Sequence, residues 1–212
     1  MSDDTLGRLL AERAATAEVT LAPIVEQKLV AYFRLLAHWN NRINLTSLQL
    51  EPPTEQAIDR LLIEPLLVAP LLKRNVAHWF DLGSGGGSPA VPLQIALGAS
   101  RLIMVESRDR KAAFLREVIR DLPLRNSEVE VSRIESLAAE SRNAGVADLV
   151  TVRAVRMDPS LIGWIQTLLG FGGQAVLFGA DTSISHLPRG LELTNALGAG
   201  NRGIVLLRRS GL

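Results

Sequence analysis

The sequence has no cysteine, few aromatic residues and almost no net charge. Its 212 residues include nine aromatic side chains, and 23 lysines and arginines stand against 22 aspartates and glutamates. Without cysteine the chain can form no disulfide framework, thiolate metal cluster or cysteine nucleophile, and a reducing cytoplasm is the expected compartment. Residues 1–5 are acidic where a signal peptide would be basic, so we do not expect secretion.

The chain also lacks a long uninterrupted apolar run. Its most apolar stretch, residues 61–72, contains Glu64, Pro65 and Pro70 and is shorter than the roughly 20 residues of a membrane span, so no transmembrane helix is expected. Apolar residues make up 47% of the chain and charged residues 21%, which is typical of a folded globular protein. This length predicts one domain with a small appendage.

Helical patterns fill the first 75 residues. Thr20 as a cap and Pro23 in the first turn predict a helix whose apolar residues recur at spacings of four and three. Thr54 can cap a second helix, which must bend or restart at Pro65. Residues 1–75 are therefore predicted to form a helical N-terminal extension.

After residue 75, strand-like runs alternate with helical stretches. Strands are predicted at 78–82, 101–105, 129–131, 148–152, 173–178, 191–197 and 203–208, with helices after Pro89 and at 109–122, 135–143 and 159–169. Apolar strands joined by helical crossovers are typical of a parallel sheet covered on both faces. Residues 76–212 therefore predict an α/β domain with a Rossmann-like, doubly wound, mostly parallel sheet.

The most informative segment is the glycine-rich turn after the first strand. Asp81 is followed by Gly83, Gly85 and Gly87 in a D-x-G-x-G-x-G pattern. Such glycines permit a tight turn and let a ligand lie against bare backbone. Ligands of open parallel sheets bind at the carboxyl ends of the strands, where this turn lies. The alternative is a plain turn between strand and helix.

Two kinds of cofactor compete for this turn. Gly85, Gly87 and Ala90 satisfy the G-x-G-x-x-A pattern of dinucleotide sites. However, Asp81 would repel a pyrophosphate, and Pro89 occupies the helix turn that should donate N–H groups to it. S-adenosylmethionine carries a sulfonium and an ammonium group, which a carboxylate attracts. The loop therefore favours S-adenosylmethionine over NAD.

Charged residues follow three further predicted strands. Glu106 comes after the second strand, 23 residues beyond Gly83, about where an acidic residue binds a ribose diol. Glu135 follows the third strand, and Arg153 ends the fourth. Together with the acidic end of the first strand, these residues predict one site along a single edge of the sheet.

Five segments together carry a resemblance to a known family. The most distinctive, residues 38–46, reads His-Trp-Asn-Asn-Arg-Ile-Asn-Leu-Thr and is similar to K-W-N-x-x-x-N-L-T. The glycine loop at 81–89 is similar to D-x-G-S/T-G-x-G-x-P, and residues 105–116 are similar to an acidic strand end followed by K-R-x-x-F-L-R. Two shorter matches are R-x-E at 133–135 and S-R-A at 152–154. With these motifs, most of the chain resembles the bacterial small-subunit ribosomal RNA methyltransferase family RsmG, or glucose-inhibited division protein B.

The resemblance implies S-adenosylmethionine-dependent methylation of guanine N7 in the 530 loop of 16S rRNA. It implies a class I methyltransferase fold with a helical N-terminal extension and no metal. The cofactor residues that it implies are Gly83, Ser88, Ile134, Glu135 and Arg153, with Glu106 on the ribose; the loop residues Asp81, Gly85 and Gly87 complete the predicted set.

The resemblance also implies how substrate is handled. Arg153 is the candidate catalytic residue, positioning the acceptor through a phosphate or the guanine edge. Asn44 and Asp59 are candidates for the pocket mouth, and the equal alternatives are a turn residue and a helix-surface charge. The partner is 16S rRNA or the small ribosomal subunit, bound by a cytoplasmic monomer. The net charge of +1 hides two basic segments, at 101–125 and 186–212, each with a net charge of +3. Together with the N-terminal extension, these segments would contact RNA phosphates. A solvated helix face is the alternative explanation of the first segment.

Several positions depart from the family pattern. Ala57-Ile-Asp-Arg stands where H-x-x-D-S is usual, Ser88 where an apolar residue is usual, and Ala90 where glycine is usual. Phe178 replaces the lysine of a Lys-Gly pair, and residues 181–188 leave little room for the usual helix. Two alternatives therefore stay open: a methyltransferase acting on another RNA, a protein or a small molecule, and a non-catalytic, cofactor-binding ribosome-associated protein.

Overall fold

Short helices precede a seven-stranded sheet that is covered on both faces. The computed structural model describes residues 3–73, 75–98, 101–153, 158–181, 187–198 and 202–211. The N-terminal elements are α1 (Asp3–Thr16), α2 (Pro23–Asn40), α3 (Glu55–Ile58), a π-helical turn (Asp59–Ile63), α4 (Glu64–Val68) and a 3-10 turn (Ala69–Leu71). The remaining elements are β1 (His78–Leu82), α5 (Ala90–Leu97), β2 (Arg101–Val105), α6 (Asp109–Asp121), β3 (Ser127–Glu130), α7 (Ile134–Ala139), a 3-10 turn (Ser141–Asn143), β4 (Ala147–Arg153), α8 (Pro159–Leu168), β5 (Leu169–Asp181), β6 (Leu191–Leu197) and β7 (Arg202–Arg209).

The sheet has the strand order β3-β2-β1-β4-β5-β7-β6. β7 is antiparallel to both of its neighbours, and the other pairs are parallel. The predicted doubly wound, mostly parallel sheet is therefore confirmed. The chain leaves β1 toward β2 on one side and returns to β4 on the other, so the strand order reverses between β1 and β4, where ligands of such sheets bind.

The N-terminal extension contains a helix that the sequence pattern did not predict. In α1, Leu6, Leu10 and Ala14 recur every four residues and are buried. Apolar side chains of the extension form one continuous cluster with α5, α6 and one face of the sheet, including Phe178 and Leu206. The helices of the extension therefore share one hydrophobic core with the sheet and pack against α5 and α6.

The helix caps of the extension agree only in part with prediction. Thr54 caps α3 as predicted, because its hydroxyl accepts the Ala57 N–H at 3.2 Å. The predicted cap Thr20 is wrong: α2 begins at Pro23, its N-cap is Ala22, and no side chain caps it. Proline at the first helical position needs no cap acceptor for its own nitrogen and has a backbone angle already suited to the helix.

Smaller differences occur at the third strand and beyond. β3 covers Ser127–Glu130 instead of 129–131, and the helix predicted at 135–143 divides into α7 and a 3-10 turn. Residue 154, the last of the motif at 152–154, and residues 182–186 of the shortened segment lie outside the described residues. Among the described residues, no helix is long and apolar enough to cross a membrane.

Candidate active site

A cavity of about 680 Å³ opens at the carboxyl ends of β1 to β4. This volume lies within the range of small-molecule sites, roughly 300–1,000 Å³. Seven of the nine predicted cofactor residues line it: Gly83, Gly85, Ser88, Glu106, Ile134, Glu135 and Arg153. The structure thus brings together residues from four separate strand ends.

Glu106 fastens the glycine loop to the end of β2. Its Oε2 accepts the Gly85 N–H at 3.0 Å, and its Oε1 accepts the Arg108 N–H at 2.9 Å. The side chain is largely buried yet still lines the cavity. Each carboxylate oxygen keeps a further lone pair, so Glu106 can hold the loop and still accept hydrogen bonds from the hydroxyl groups of a ligand.

Two positions of the loop require glycine for different reasons. Gly85 has φ +53°, in the left-handed region, and its backbone lines the cavity. Gly87 has φ +86°, and a Cβ there would lie 2.9 Å from a methyl group of Val91 in α5. Gly87 therefore lies behind the cavity wall, where it lets α5 approach the loop.

Helix α2 of the N-terminal extension forms a hydrogen bond to the glycine loop. The buried Tyr32 hydroxyl donates to the Gly86 carbonyl at 2.6 Å, and burial raises the pKa of Tyr32 well above its ordinary value, so it stays a donor. Further along α2, Trp39 donates to Glu117 at 2.9 Å and its ring lies 5.8 Å from that of Phe114 in α6. The extension is thus one wall of the site.

The segment after α2 reaches the cavity mouth through a side-chain cap. The Asn40 Oδ1 accepts the N–H groups of Leu45 and Thr46, both at 2.9 Å. These bonds place Asn44 and Thr46 on the cavity lining. Of the two candidates for the mouth, Asn44 is therefore placed there, whereas Asp59 is outside the lining and is bound by an arginine of α1.

Arg153, at the end of β4, has the most unusual environment. Its Nη1 donates to Glu64 Oε2 at 2.8 Å, and its guanidinium lies 4.4 Å from the centre of the Phe178 ring. Only 13% of the side chain is exposed, and burial lowers its pKa while Glu64 opposes that shift. The buried Nε and Nη2 have no partner among the described residues, although Arg153 lines the cavity.

Nε and Nη2 lie on one edge of the planar guanidinium. This edge matches the two oxygens of a carboxylate or phosphate, which arginine binds through two parallel hydrogen bonds. A buried arginine with two unused donors is costly unless a ligand pairs them. The unpaired Nε and Nη2 therefore make Arg153 a candidate anion-binding residue of the cavity, whose lining also includes the acidic Glu106.

Asp81 lies beneath the glycine loop and does not line the cavity. It is 1% exposed, its Oδ1 accepts the Thr151 hydroxyl at 2.5 Å, and that hydroxyl accepts the Trp79 N–H at 2.8 Å. Its Oδ2 has no partner among the described residues. Burial raises the pKa of Asp81 to about 6, against the hydrogen bonds of Ser84 and Thr151. Because Asp81 does not line the cavity, it can influence a ligand there through its negative charge and through the conformation of the glycine loop above it.

Comparison with known proteins identifies the family. The family model described as GidB, rRNA small subunit methyltransferase G, matches residues 25–190. The chain belongs to this family. The Ribosomal RNA small subunit methyltransferase G of Pseudomonas aeruginosa strain LESB58 is 32% identical over 95% of this chain and 94% of the relative. That of Dictyoglomus thermophilum is 27% identical over 92% of this chain and 81% of the relative.

Solved structures confirm the class of fold. A methyltransferase from Geobacter sulfurreducens superposes with a TM-score of 0.58 at 16% identity, over 90% of both chains. An S-adenosylmethionine-dependent methyltransferase from Aquifex aeolicus gives 0.53 at 11% identity, over 71% of this chain and 90% of its own. The fold is therefore that of class I methyltransferases.

Two departures from the family pattern are explained by contacts at the cavity wall. Pro65 has no N–H to give the Leu61 carbonyl one helical turn earlier, and the Ser88 hydroxyl donates to that carbonyl instead, at 2.8 Å. Phe178, in the place of a family lysine, lies under the Arg153 guanidinium. Both changes therefore complete contacts within the chain.

Sequence reasoning missed two residues of the site in this family member. The resemblance placed the aspartate of the family motif H-x-x-D-S at Asp59. In the structure, the carboxylate that binds the cavity-lining Arg153 is that of Glu64. Tyr32 was assigned to the buried stripe of α2, and its bond to the loop was not foreseen. The lone tyrosine of the sequence, on a helix next to the family signature, was the available signal.

The basic segments differ in what they present to the cavity. Arg108 and Lys111, from 101–125, line it. In 186–212, Arg208 pairs with Glu192, and Arg209 donates to backbone carbonyl groups of α8 and β5. Of the described residues in these two segments, only cations of 101–125 line the cavity.

Proposed function

We propose that this chain is an S-adenosylmethionine-dependent methyltransferase that modifies guanine N7 in the 530 loop of 16S rRNA. Its substrate is the small ribosomal subunit, and the enzyme acts as a cytoplasmic monomer. Membership of the rRNA small subunit methyltransferase G family supports the substrate class. The observation that carries the chemistry is the cavity itself, which is lined by Glu106 and by Arg153, whose buried Nε and Nη2 have no partner among the described residues.

The residues present fit the two ends of this cofactor. Glu106 is free to accept the ribose hydroxyls while it holds the loop, and Ile134 and Glu135 lie at the start of α7 beside it. Arg153 supplies donors for the carboxylate of the amino-acid end. The buried Asp81 carboxylate favours a positive ligand above the glycine loop. When bound, the cofactor supplies an electrophilic methyl group.

The chain needs no acid–base pair for this reaction. Guanine N7 has an unprotonated lone pair at neutral pH, so the enzyme must align it with the methyl group, at about 3–3.5 Å, and accept a guanine that becomes cationic. Asn44 lies at the cavity mouth where an incoming base is guided, and Arg108 and Lys111 attract phosphate groups there. The carboxylates of Asp81 and Glu106 favour the charge that develops.

Mapping the methylated base tests this function directly. The protein is incubated with labelled S-adenosylmethionine and small ribosomal subunits that lack the modification, and N7-methylguanosine is located by reduction and aniline cleavage. We expect one cleavage in the 530 loop and a lower rate on free 16S rRNA, because a chain of net charge +1 binds naked RNA weakly. Cofactor binding without cleavage there would favour another acceptor or a non-catalytic role.

A further inference from the structure

We infer that Glu64 is a positioning residue that turns the free edge of Arg153 toward the cofactor carboxylate. The inference deepens the proposed function and rests on it. Glu64 is the first residue of α4 and does not line the cavity. Its Oε2 accepts from Arg153 Nη1 at 2.8 Å on the inner side, and Arg60 Nε lies 3.6 Å from its Oε1 on the outer side.

Two contacts together fix the Arg153 guanidinium. Phe178 lies against one face, at 4.4 Å from the ring centre, and so sets the plane of the group. The Phe178 ring does not fix the rotation of the guanidinium within that plane. The hydrogen bond from Nη1 to Glu64 fixes this rotation, and it leaves the Nε and Nη2 edge unpaired and buried at the cavity wall.

The direction of Glu64 is set by the irregular helix before it. The π-helical turn at Asp59–Ile63 changes the helical phase, so the residue that follows it faces the sheet. Pro65 cannot bond the Leu61 carbonyl, and Ser88 of the cofactor loop does so at 2.8 Å. One hydrogen bond therefore joins the loop under the cofactor to the turn that aims Glu64.

The cofactor carboxylate gives a selective test. Binding of S-adenosylmethionine and of decarboxylated S-adenosylmethionine, which lacks only that carboxylate, is measured by titration calorimetry for wild type, Glu64→Leu, Glu64→Gln and Arg60→Gln. Leucine removes the oxygen acceptor for Arg153 and glutamine keeps one. Arg60→Gln removes the exposed cation on the other side of Glu64, so it serves as the matched control. Thermal unfolding of each variant checks that it is folded, and Glu64→Asp is the substitute if Glu64→Leu does not fold.

We expect the wild type to prefer S-adenosylmethionine by at least about tenfold, the size of a charge-assisted hydrogen-bonded pair. Glu64→Leu should lose most of this preference while its affinity for the decarboxylated ligand stays unchanged, and Glu64→Gln and Arg60→Gln should keep most of the wild-type preference. Glu64→Asp should lose part of it, because its carboxylate is one methylene further from Nη1.

Three results would overturn the inference. A Glu64→Leu protein that keeps the full preference would show that Phe178 alone orients Arg153. Equal loss of affinity for both ligands would show a merely structural role. Equal affinity of the wild type for both ligands would show that Arg153 does not bind the cofactor carboxylate. Failure of the proposed function is distinguishable, because it shows as a missing cleavage in the 530 loop, whereas this inference is tested only by the ratio of the two ligand affinities.

Discussion

The buried carboxyl group of Asp81 makes a prediction about stability that depends on pH. Asp81 is 1% exposed, and burial raises its pKa from 3.8 to about 6. We propose to replace it with asparagine, which has nearly the same shape, can still accept the Thr151 hydroxyl and does not titrate. The comparison of the two proteins across pH isolates the ionisation of this one group.

The magnitude follows from the shift. Each pKa unit corresponds to about 1.36 kcal/mol, so a rise from 3.8 to about 6 makes the ionised carboxylate cost about 3 kcal/mol of folding free energy. Because the folded pKa is raised, the group costs nothing below the unfolded pKa, and stability is lost as pH rises toward the folded pKa. The free energy of unfolding of wild type, relative to Asp81→Asn, should fall by about 2.4 kcal/mol between pH 4 and pH 7, because the rest of the effect lies below pH 4.

Urea unfolding at several values between pH 4 and pH 7 measures this difference, since groups common to both proteins cancel. Asp148→Asn is a control of opposite sign. Burial raises the Asp148 pKa, but bonds from Lys73 and the His78 and Ala77 N–H groups more than offset this and leave it below its ordinary value. Wild type should therefore gain stability relative to Asp148→Asn as pH rises through the acidic range. A flat difference for Asp81→Asn, or one that rises with pH, would refute the reasoning.

Three further predictions concern the loop and the cavity. Tyr32→Phe leaves the Gly86 carbonyl without its donor and should cost about 1–3 kcal/mol in urea unfolding and weaken S-adenosylmethionine binding; an unchanged affinity would show that the bond is not needed to shape the loop. Gly87→Ala places a Cβ 2.9 Å from Val91 at φ +86° and should lower the melting temperature, whereas a wild-type melting curve would contradict the assigned strain. Arg153→Ala should abolish methylation of subunits, and full activity in that assay would remove Arg153 from the mechanism.

Sequence reasoning succeeded where the signal is local. The strand ends Glu106 and Arg153 were found because parallel strands place their carboxyl ends at one edge of the sheet, and chain order alone predicts that edge. The glycine loop was found because positive φ at Gly85 and a close approach at Gly87 both demand the residue type that the sequence displays. Their contacts with the cofactor stay predictions.

Sequence reasoning failed where two distant segments meet. Thr20 resembles a helix cap, yet the helix starts at Pro23, since the position of a helix start depends on how the whole helix packs. Asp59 is the first residue of the π-helical turn and Glu64 directly follows it, and Glu64, not Asp59, contacts the cavity-lining Arg153. No local pattern encodes that change of phase.

The sequence by itself determined the class of fold, the glycine loop and the strand ends that surround it, because these follow from periodicity, glycine and chain order. The lack of cysteine is consistent with the proposed reaction, which needs no thiolate. Only the tertiary structure decided which side chains complete the wall: Tyr32 on the loop, Ser88 on the Leu61 carbonyl, and Glu64 on Arg153. Each of these bonds joins residues between 27 and 89 positions apart, and packing, not local sequence, brings such pairs within hydrogen-bonding distance.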